Sequence, residues 1–380
     1  LNSESKKFMK IKNIFATMFL LSIFRVTFLK EIIIFDIGLT SYVNYLITFL
    51  TIFIIIYIGK FRYNKVMTLM IILLIIDFLL NHVSIYAFLI RMSFVLSGYL
   101  FFSFYSNKES YFSQWPIKVT IIIYLLEMSI LYYMQIPGLD TYLHGWIYNG
   151  NELGIAKAQL ATLLVITIIY LLVHHNYYIL MTVLLISWPL LLIARASISA
   201  CFALCFFHVI ALKFNSIKTG LLSIFVILSS LVSYSVYLGS FDRMHSYVLA
   251  INVLKNDISG LGLRNYYNYT TNNIEQLKFE LAKYLKHDDM FFVGAESMYA
   301  DLIATRGIFG IIIILAYLIV FITGVQKYKF LEPMEQFIIL FWGYLFFVGI
   351  GSDHTHIDTL FYLSLGCACA VSYRSKKLIS

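Results

Sequence analysis

The run Ala158–Lys213, AQLATLLVITIIYLLVHHNYYILMTVLLISWPLLLIARASISACFALCFFHVIALK, decides the fold. Three apolar stretches follow one another across it, at 156–173 (which begins two residues earlier and includes Lys157), 177–194 and 197–212, and within the quoted run Arg195 is the only formal charge before Lys213. A helix needs about 20 consecutive apolar residues to cross the hydrocarbon of a bilayer. Stretches of that kind, separated only by HHN and by a single arginine, predict consecutive membrane spans joined by short turns.

The rest of the chain agrees. Of 380 residues 61% are hydrophobic and only 13% charged, and the mean hydropathy is +0.83. An ordinary soluble domain carries roughly a quarter charged residues, so this composition excludes one. Spans are expected at 13–29, 40–59, 66–81, 84–105, 118–136, 156–173, 177–194, 197–212, 219–238, 307–325, 336–350 and 357–373. The first has lysines before it but no small-residue cleavage site after it, and is expected to remain as a span. The expected fold is all-α, a polytopic transmembrane bundle of about twelve spans. Residues 1–238 hold nine of them, 239–306 form a large extracytoplasmic loop, and 307–380 hold the last three.

Charge sets the orientation. Lys and Arg collect in short cytoplasmic loops, and every second connection here is basic: the N-terminal lysines, Lys60, Arg62 and Lys65, Lys108 and Lys118, Lys213 and Lys218, Lys327 and Lys329, then Arg374, Lys376 and Lys377. The hairpin at His174 and His175 is the exception. The alternate connections carry Glu31, Asp36, Asp140, Glu152 and Asp353. Both termini are therefore expected in the cytoplasm. The excess of 28 Lys and Arg over 20 acids reports these loops rather than nucleic-acid binding. Cys201, Cys205, Cys367 and Cys369 all lie in apolar runs and signal packing, not a disulfide framework or a zinc site.

Charges within spans are costly and are functional candidates by default. Arg25, Asp77, Arg91 and Glu127 are equally well explained by mutual pairing or snorkelling. Arg195, in ARASIS at a helix start, suits a diphosphate held by guanidinium and backbone N–H groups, or else an interfacial anchor. The loop GLDTYLHGWIYNGNELG (138–154) sets Trp146, Tyr148, Asn149 and Asn151 together. Aromatic faces and side-chain amides suit a sugar; an interfacial aromatic belt accounts for Trp146 and Tyr148 but not for the asparagines.

The large loop opens GSFDRMHSY with Arg243 and His245, continues SGLGLRNYY with Arg264, and closes GAESMYADLIATRGIFG with Glu296. Its middle, Asn272–His287, has Ile274, Leu277, Leu281 and Leu285 at helical spacing and predicts an amphipathic helix. Glu296 can take a proton from a hydroxyl nucleophile, or can simply complement a helix dipole. Asp353, His354, His356 and Asp358 can form a weak metal site or a polar, substrate-facing rim. Walker A, Rossmann and HExxH patterns are absent from the sequence.

From about Tyr142 onward the chain resembles the bacterial O-antigen ligase and Wzy-type O-antigen polymerase superfamily of integral-membrane glycosyltransferases. Four motifs carry the resemblance in order: G-x-x-x-N-x-N-x-x-G at Gly145–Gly154, ARASIS at Arg195, an opening arginine and aromatic at Arg243 and Tyr247 with G-x-G at Gly260 and Gly262, and a closing Glu296 with G-x-x-G at Gly307 and Gly310. The resemblance implies a glycan donor on undecaprenyl diphosphate, an acceptor sugar hydroxyl, and inverting transfer without a metal or other cofactor on the outer face of the inner membrane. It implies diphosphate binding by Arg195 and Arg243 and a general base in Glu296, and Arg264, His245, Asn149, Asn151, Trp146, His354 and His356 are the candidate substrate contacts. A flippase and a chain-length regulator of the same pathway are implied partners. Ligases of this superfamily usually show histidine where this chain has Glu296, so polymerase is expected rather than ligase. A lipid-linked oligosaccharide flippase is the competing, non-enzymatic expectation.

Overall fold

The computed structural model describes residues 3–24, 33–34, 37–58, 62–80, 85–107, 112–134, 157–188, 190, 195–237, 244–262, 269, 272, 297–350 and 358–376. Among them the chain is all-α apart from one short antiparallel pairing of β1 (Ile33–Ile34) with β2 (Ile37–Gly38), in register Ile33 to Gly38 and Ile34 to Ile37. Thirteen α-helices are described: α1 Ser3–Phe24, α2 Leu39–Ile58, α3 Lys65–Leu80, α4 Ile85–Tyr105, α5 Trp115–Met134, α6 Lys157–Val173, α7 Tyr177–Ile186, α8 Arg195–Lys213, α9 Ile217–Tyr237, α10 Met244–Asn256, α11 Met298–Val325, α12 Pro333–Val348 and α13 Asp358–Lys376.

A helix lies at each of the twelve stretches where the sequence predicts a span. Four of the described helices are long and apolar enough to cross a membrane, over Phe88–Tyr105, Trp115–Tyr132, Ala196–Lys213 and Met298–Val325. The other apolar helices are shorter by that measure. Large apolar side chains also point away from the protein in helical rows: Phe49, Ile52, Phe53 and Ile56 on α2, Ile122 and Leu126 on α5, Phe202 and Phe206 on α8, and Leu315 and Ile319 on α11. Surfaces of this kind are a liability in water and ordinary against lipid. The chain has the make-up of a membrane protein.

Three boundaries differ from expectation. The first helix begins at Ser3 rather than residue 13, because the lysine-rich flank is itself a good helix former. The seventh is interrupted after Ile186: Ser187 is a turn, and Trp188 and Leu190 are helical again. There the Tyr132 hydroxyl takes the Ile186 carbonyl, Tyr124 pairs with Ser187, and Pro189 follows, which cannot donate to a continuing helix. The tenth expected span starts early: α11 begins at Met298, nine residues before 307, so the expected boundary at 306/307 falls inside a helix.

Packing relies on close backbone approach and on interior hydroxyls. Between α4 and α13 a Cβ added at Gly366 would lie 2.0 Å from the Gly98 carbonyl oxygen, and one at Gly98 would lie 2.3 Å from that of Tyr362. Only glycine permits helices to meet so closely, a familiar device where water supplies no driving force between helices. Thr51 and Ser97 meet at 2.6 Å, and Thr48 and Ser93 at 3.0 Å, tying α2 to α4. Tyr317, Trp342 and Phe361, with ring centroids 4.9–5.6 Å apart, lock α11, α12 and α13 together.

Several basic connections are tied to neighbouring segments. Arg62 donates to the Ser106 carbonyl at 2.9 Å, Lys329 binds Asn215, and Arg374 pairs with Glu335 at 2.9 Å while covering the Phe112 ring. Gln336 of α12 donates to the carbonyls of Tyr328 and Leu331. Burial pushes the Tyr328 phenol well above its usual range, and the nearby Cys205 thiol adds to the shift.

Candidate functional site

The site is built around a helix that breaks. Ser297 caps α11 with extended backbone (φ −132°, ψ 130°), its hydroxyl accepting from the Ala300 N–H at 3.4 Å. The helix runs to Arg306 and is interrupted at Gly307 (φ 54°, ψ −130°), a conformation that only glycine adopts cheaply. Interruption frees backbone groups that hydrocarbon cannot satisfy.

The segment just past α10 satisfies them. The N–H groups of Leu261 and Gly262 donate to the carbonyls of Ala304 and Thr305 at 2.9 and 2.8 Å, and the Ile308 N–H donates to the Ile258 carbonyl at 3.0 Å. Gly260 and Gly262 have φ of 84° and 85°. A Cβ at Gly260 would lie 2.5 Å from the Gly307 nitrogen, and one at Gly307 would lie 2.0 Å from the Ile258 oxygen. The G-x-G and G-x-x-G motifs, 45 residues apart in sequence, are thus two halves of one joint. Asp257 shapes the approach by accepting from the Ser259 N–H and hydroxyl at 2.9 and 2.7 Å.

Ahead of the joint, α10 lies along the first turns of α11. Leu249, Ala250 and Val253 bury against Ala300 and Ala304 in a small core of their own. Buried Ser246, Leu249, Ala250 and Val253 are spaced i, i+3, i+4, i+7, a helical stripe inside the stretch expected as the large loop.

One residue before the break, Arg306 is 6% exposed, with Nε 3.8 Å from Oδ2 of Asp77 on α3, itself 3% exposed. Pairing therefore accounts for Asp77. Its partner escaped the sequence analysis because Arg306 fell on the loop side of a boundary drawn at 307. Its position directly before glycine in an apolar run is the signal that could have found it.

The last two turns of α12 collect the remaining pieces. A helix C-terminus leaves carbonyls unsatisfied, and here Tyr299 takes that of Phe346, Ser297 lies 3.0 Å from that of Gly349, and the Tyr247 hydroxyl donates to that of Ile350 at 2.7 Å. Ser297 and Tyr247 are also 2.8 Å apart. On the side of α6 and α8, Tyr344 of α12 lies 3.2 Å from the Thr162 hydroxyl and beside Ser197. One turn before Thr162, buried Gln159 has neither amide atom hydrogen-bonded.

Arg195 is the first residue of α8 and His245 lies in the first turn of α10, although their side chains fall outside the described residues. Arg243, Arg264, Glu296, Asn149, Asn151, Trp146, His354 and His356 lie outside the described residues, as do Arg25 and nearly all of the expected helix at 272–287. What the structure brings together is their described neighbours. Ser197 follows Arg195 by two positions, Tyr247 follows His245 by two, and Ser297 follows Glu296 directly. All three lie against the last turns of α12 and the two residues after it, Tyr344–Ile350. Among the described residues no three His, Cys, Asp or Glu side chains gather to hold a metal. The cysteines are free and mostly buried, with the sulfurs of Cys201 and Cys205 3.9 Å apart. No family model matches this chain, and no curated protein matches it.

Proposed function

We propose that this protein is an integral-membrane glycosyltransferase that polymerises lipid-linked oligosaccharide repeat units of a surface polysaccharide, an O-antigen or a capsule. The observation that carries the reading is the joint between Gly260–Gly262 and the break at Gly307. It makes one structural unit of two motifs on which the resemblance to the O-antigen polymerase and ligase superfamily rests. The shared contact of Ser197, Tyr247 and Ser297 with the end of α12 adds support, since each adjoins a residue of the proposed machinery.

In this reading the chain crosses the bacterial cytoplasmic membrane about twelve times with both termini inside, and residues 239–306 face outward. An acceptor sugar hydroxyl attacks the anomeric carbon of a glycan on undecaprenyl diphosphate. The new glycosidic C–O bond forms as the bond to the diphosphate breaks, with inversion at the anomeric carbon. Glu296 accepts the hydroxyl proton, and Arg195 and Arg243 neutralise the departing diphosphate. Arg264, His245, Asn149, Asn151, Trp146, His354 and His356 hold the sugars. Because the donor is already activated, the protein has only to position the acceptor, offer a base and stabilise phosphate charge. A flippase and a chain-length regulator are the partners this pathway step requires.

The test is the surface-glycan banding of a deletion strain complemented with wild type, Arg195→Ala or Glu296→Gln. The reading expects a ladder with wild type and single repeat units with either variant. Accumulation of long lipid-linked polymer in the deletion strain would assign a ligase instead, and an unchanged ladder with both variants would remove the enzymatic reading.

A further inference from the structure

Helices α6, α8 and α12 each pack on the other two, and polar side chains gather where they meet. Gln159 and Thr162, three residues apart and so on one face of α6, are both buried. The Thr162 hydroxyl lies 3.2 Å from that of Tyr344 on α12, and buried Ser197 of α8 stands beside the same phenol. Gln159 takes no part in this exchange. It is 3% exposed, and neither its Oε1 nor its Nε2 has a hydrogen-bond partner among the described residues.

Such a group is costly. A carboxamide brings an acceptor oxygen and two N–H donors, and burial without a partner forfeits every hydrogen bond these made with water. The large majority of buried side-chain polar atoms in folded proteins avoid that state. A methionine, similar in length and apolar, would fill the position without the penalty. Polar groups kept at a cost to stability are expected where the partner arrives with a ligand.

Placement and chemistry together indicate the ligand. Gln159 is the third residue of α6 and follows by five positions Gly154, the last glycine of the G-x-x-x-N-x-N-x-x-G motif. Thr162 and Tyr344 connect its neighbourhood to Ser197, two residues after Arg195. A carboxamide has no charge to set against a diphosphate and does not take a proton from a nucleophile, so Gln159 duplicates neither Arg195 nor Glu296. Its acceptor and donors, side by side, match two adjacent hydroxyls of a neutral sugar ring, one donating and one accepting. The three side-chain torsions of Gln159, so near the start of α6, suffice to turn the amide toward the helix end when the sugar arrives.

We propose that Gln159 is a substrate-binding residue whose carboxamide takes two adjacent hydroxyls of a sugar in the lipid-linked repeat unit. The assignment rests on the glycosyl-transfer reading and adds to it a residue that lies outside its motifs.

The test uses the full chain, purified in detergent, with lipid-linked repeat units isolated from a deletion strain. Wild type and Gln159→Met are compared in unfolding midpoint, with and without repeat units, and in the rate of undecaprenyl diphosphate release across repeat-unit concentrations. Without repeat units the midpoint of the variant should equal that of wild type or exceed it by up to a few degrees, because the unpaired amide is gone. KM should rise at least about tenfold while kcat stays within about threefold, the mark of binding shared by ground and transition states. The rise in midpoint that repeat units give wild type should shrink in the variant. A variant midpoint below wild type without repeat units would mean that the amide serves the fold, and an unchanged KM would mean that no sugar touches it; either result overturns the proposal. Wild type that releases no undecaprenyl diphosphate would instead remove the glycosyl-transfer reading, and this assignment with it.

Discussion

At the basic end of the bundle, Lys329 binds Asn215, Arg62 holds Ser106 and Arg374 holds Glu335, so side chains fasten one segment to the next. At the opposite end the fastening is done by backbone: a helix broken at Gly307, mended by Ile258–Gly262, and a helix end at Gly349–Ile350 capped by Ser297 and Tyr247. The first arrangement tolerates change where it is exposed, as at Lys329 and Asn215, because exposed polar pairs are worth little. The second does not, because a buried backbone group without its partner is expensive. The contrast teaches where precise geometry is being maintained, and that is the end to which the motif-bearing segments lead.

Substitutions can break or sharpen this contrast. The largest effect is expected from Arg306→Ala, which removes the guanidinium beside buried Asp77 and should destabilise the protein by about 3–5 kcal/mol in detergent unfolding. Replacing both residues by leucine should restore most of that loss; no recovery would mean that the pair does more than neutralise itself. Next comes Gly307→Ala. Its positive φ alone is worth about 1–3 kcal/mol, and the added methyl must displace the Ile258 carbonyl, so surface-glycan chain length should fall even where folded protein persists. Ser297→Ala removes the cap of α11 and a partner of the Gly349 carbonyl, for about 1–2 kcal/mol. Lys329→Ala, at the basic end, should change the midpoint by less than about 0.5 kcal/mol equivalent. A loss as large as that of Ser297→Ala would erase the distinction between the ends.

The same contrast explains what could be read from sequence. Helix positions were legible because runs such as Ala158–Val173 are predominantly apolar and long. Which face of each helix turns inward was not, since a helix apolar on every side carries no periodic signal: Phe202 points out and Phe207 in, with nothing in composition to separate them. Gly260, Gly262, Gly307 and Gly310 were legible as motif glycines. Their meeting was not, because it is a contact between positions 45 residues apart, made through backbone atoms that every residue shares. Arg306 and Gln159 were hidden differently. Arg306 lay just beyond a boundary set by hydropathy, and Gln159 looked like a polar residue at a helix start until its burial was known. The stripe Ser246, Leu249, Ala250 and Val253 was present in the letters but shorter than any span and so passed into the loop.

The central claim is that sugar transfer takes place at the end of the bundle held by the joint. It is tested most directly by mixing purified protein with isolated lipid-linked repeat units and following release of undecaprenyl diphosphate together with chain length. Glu296→Gln beside α11 is expected to lower the rate by about 10²-fold or more, while Glu335→Gln at the basic end leaves it near wild type. Turnover that survives Glu296→Gln, or that is lost equally in both variants, would contradict the account.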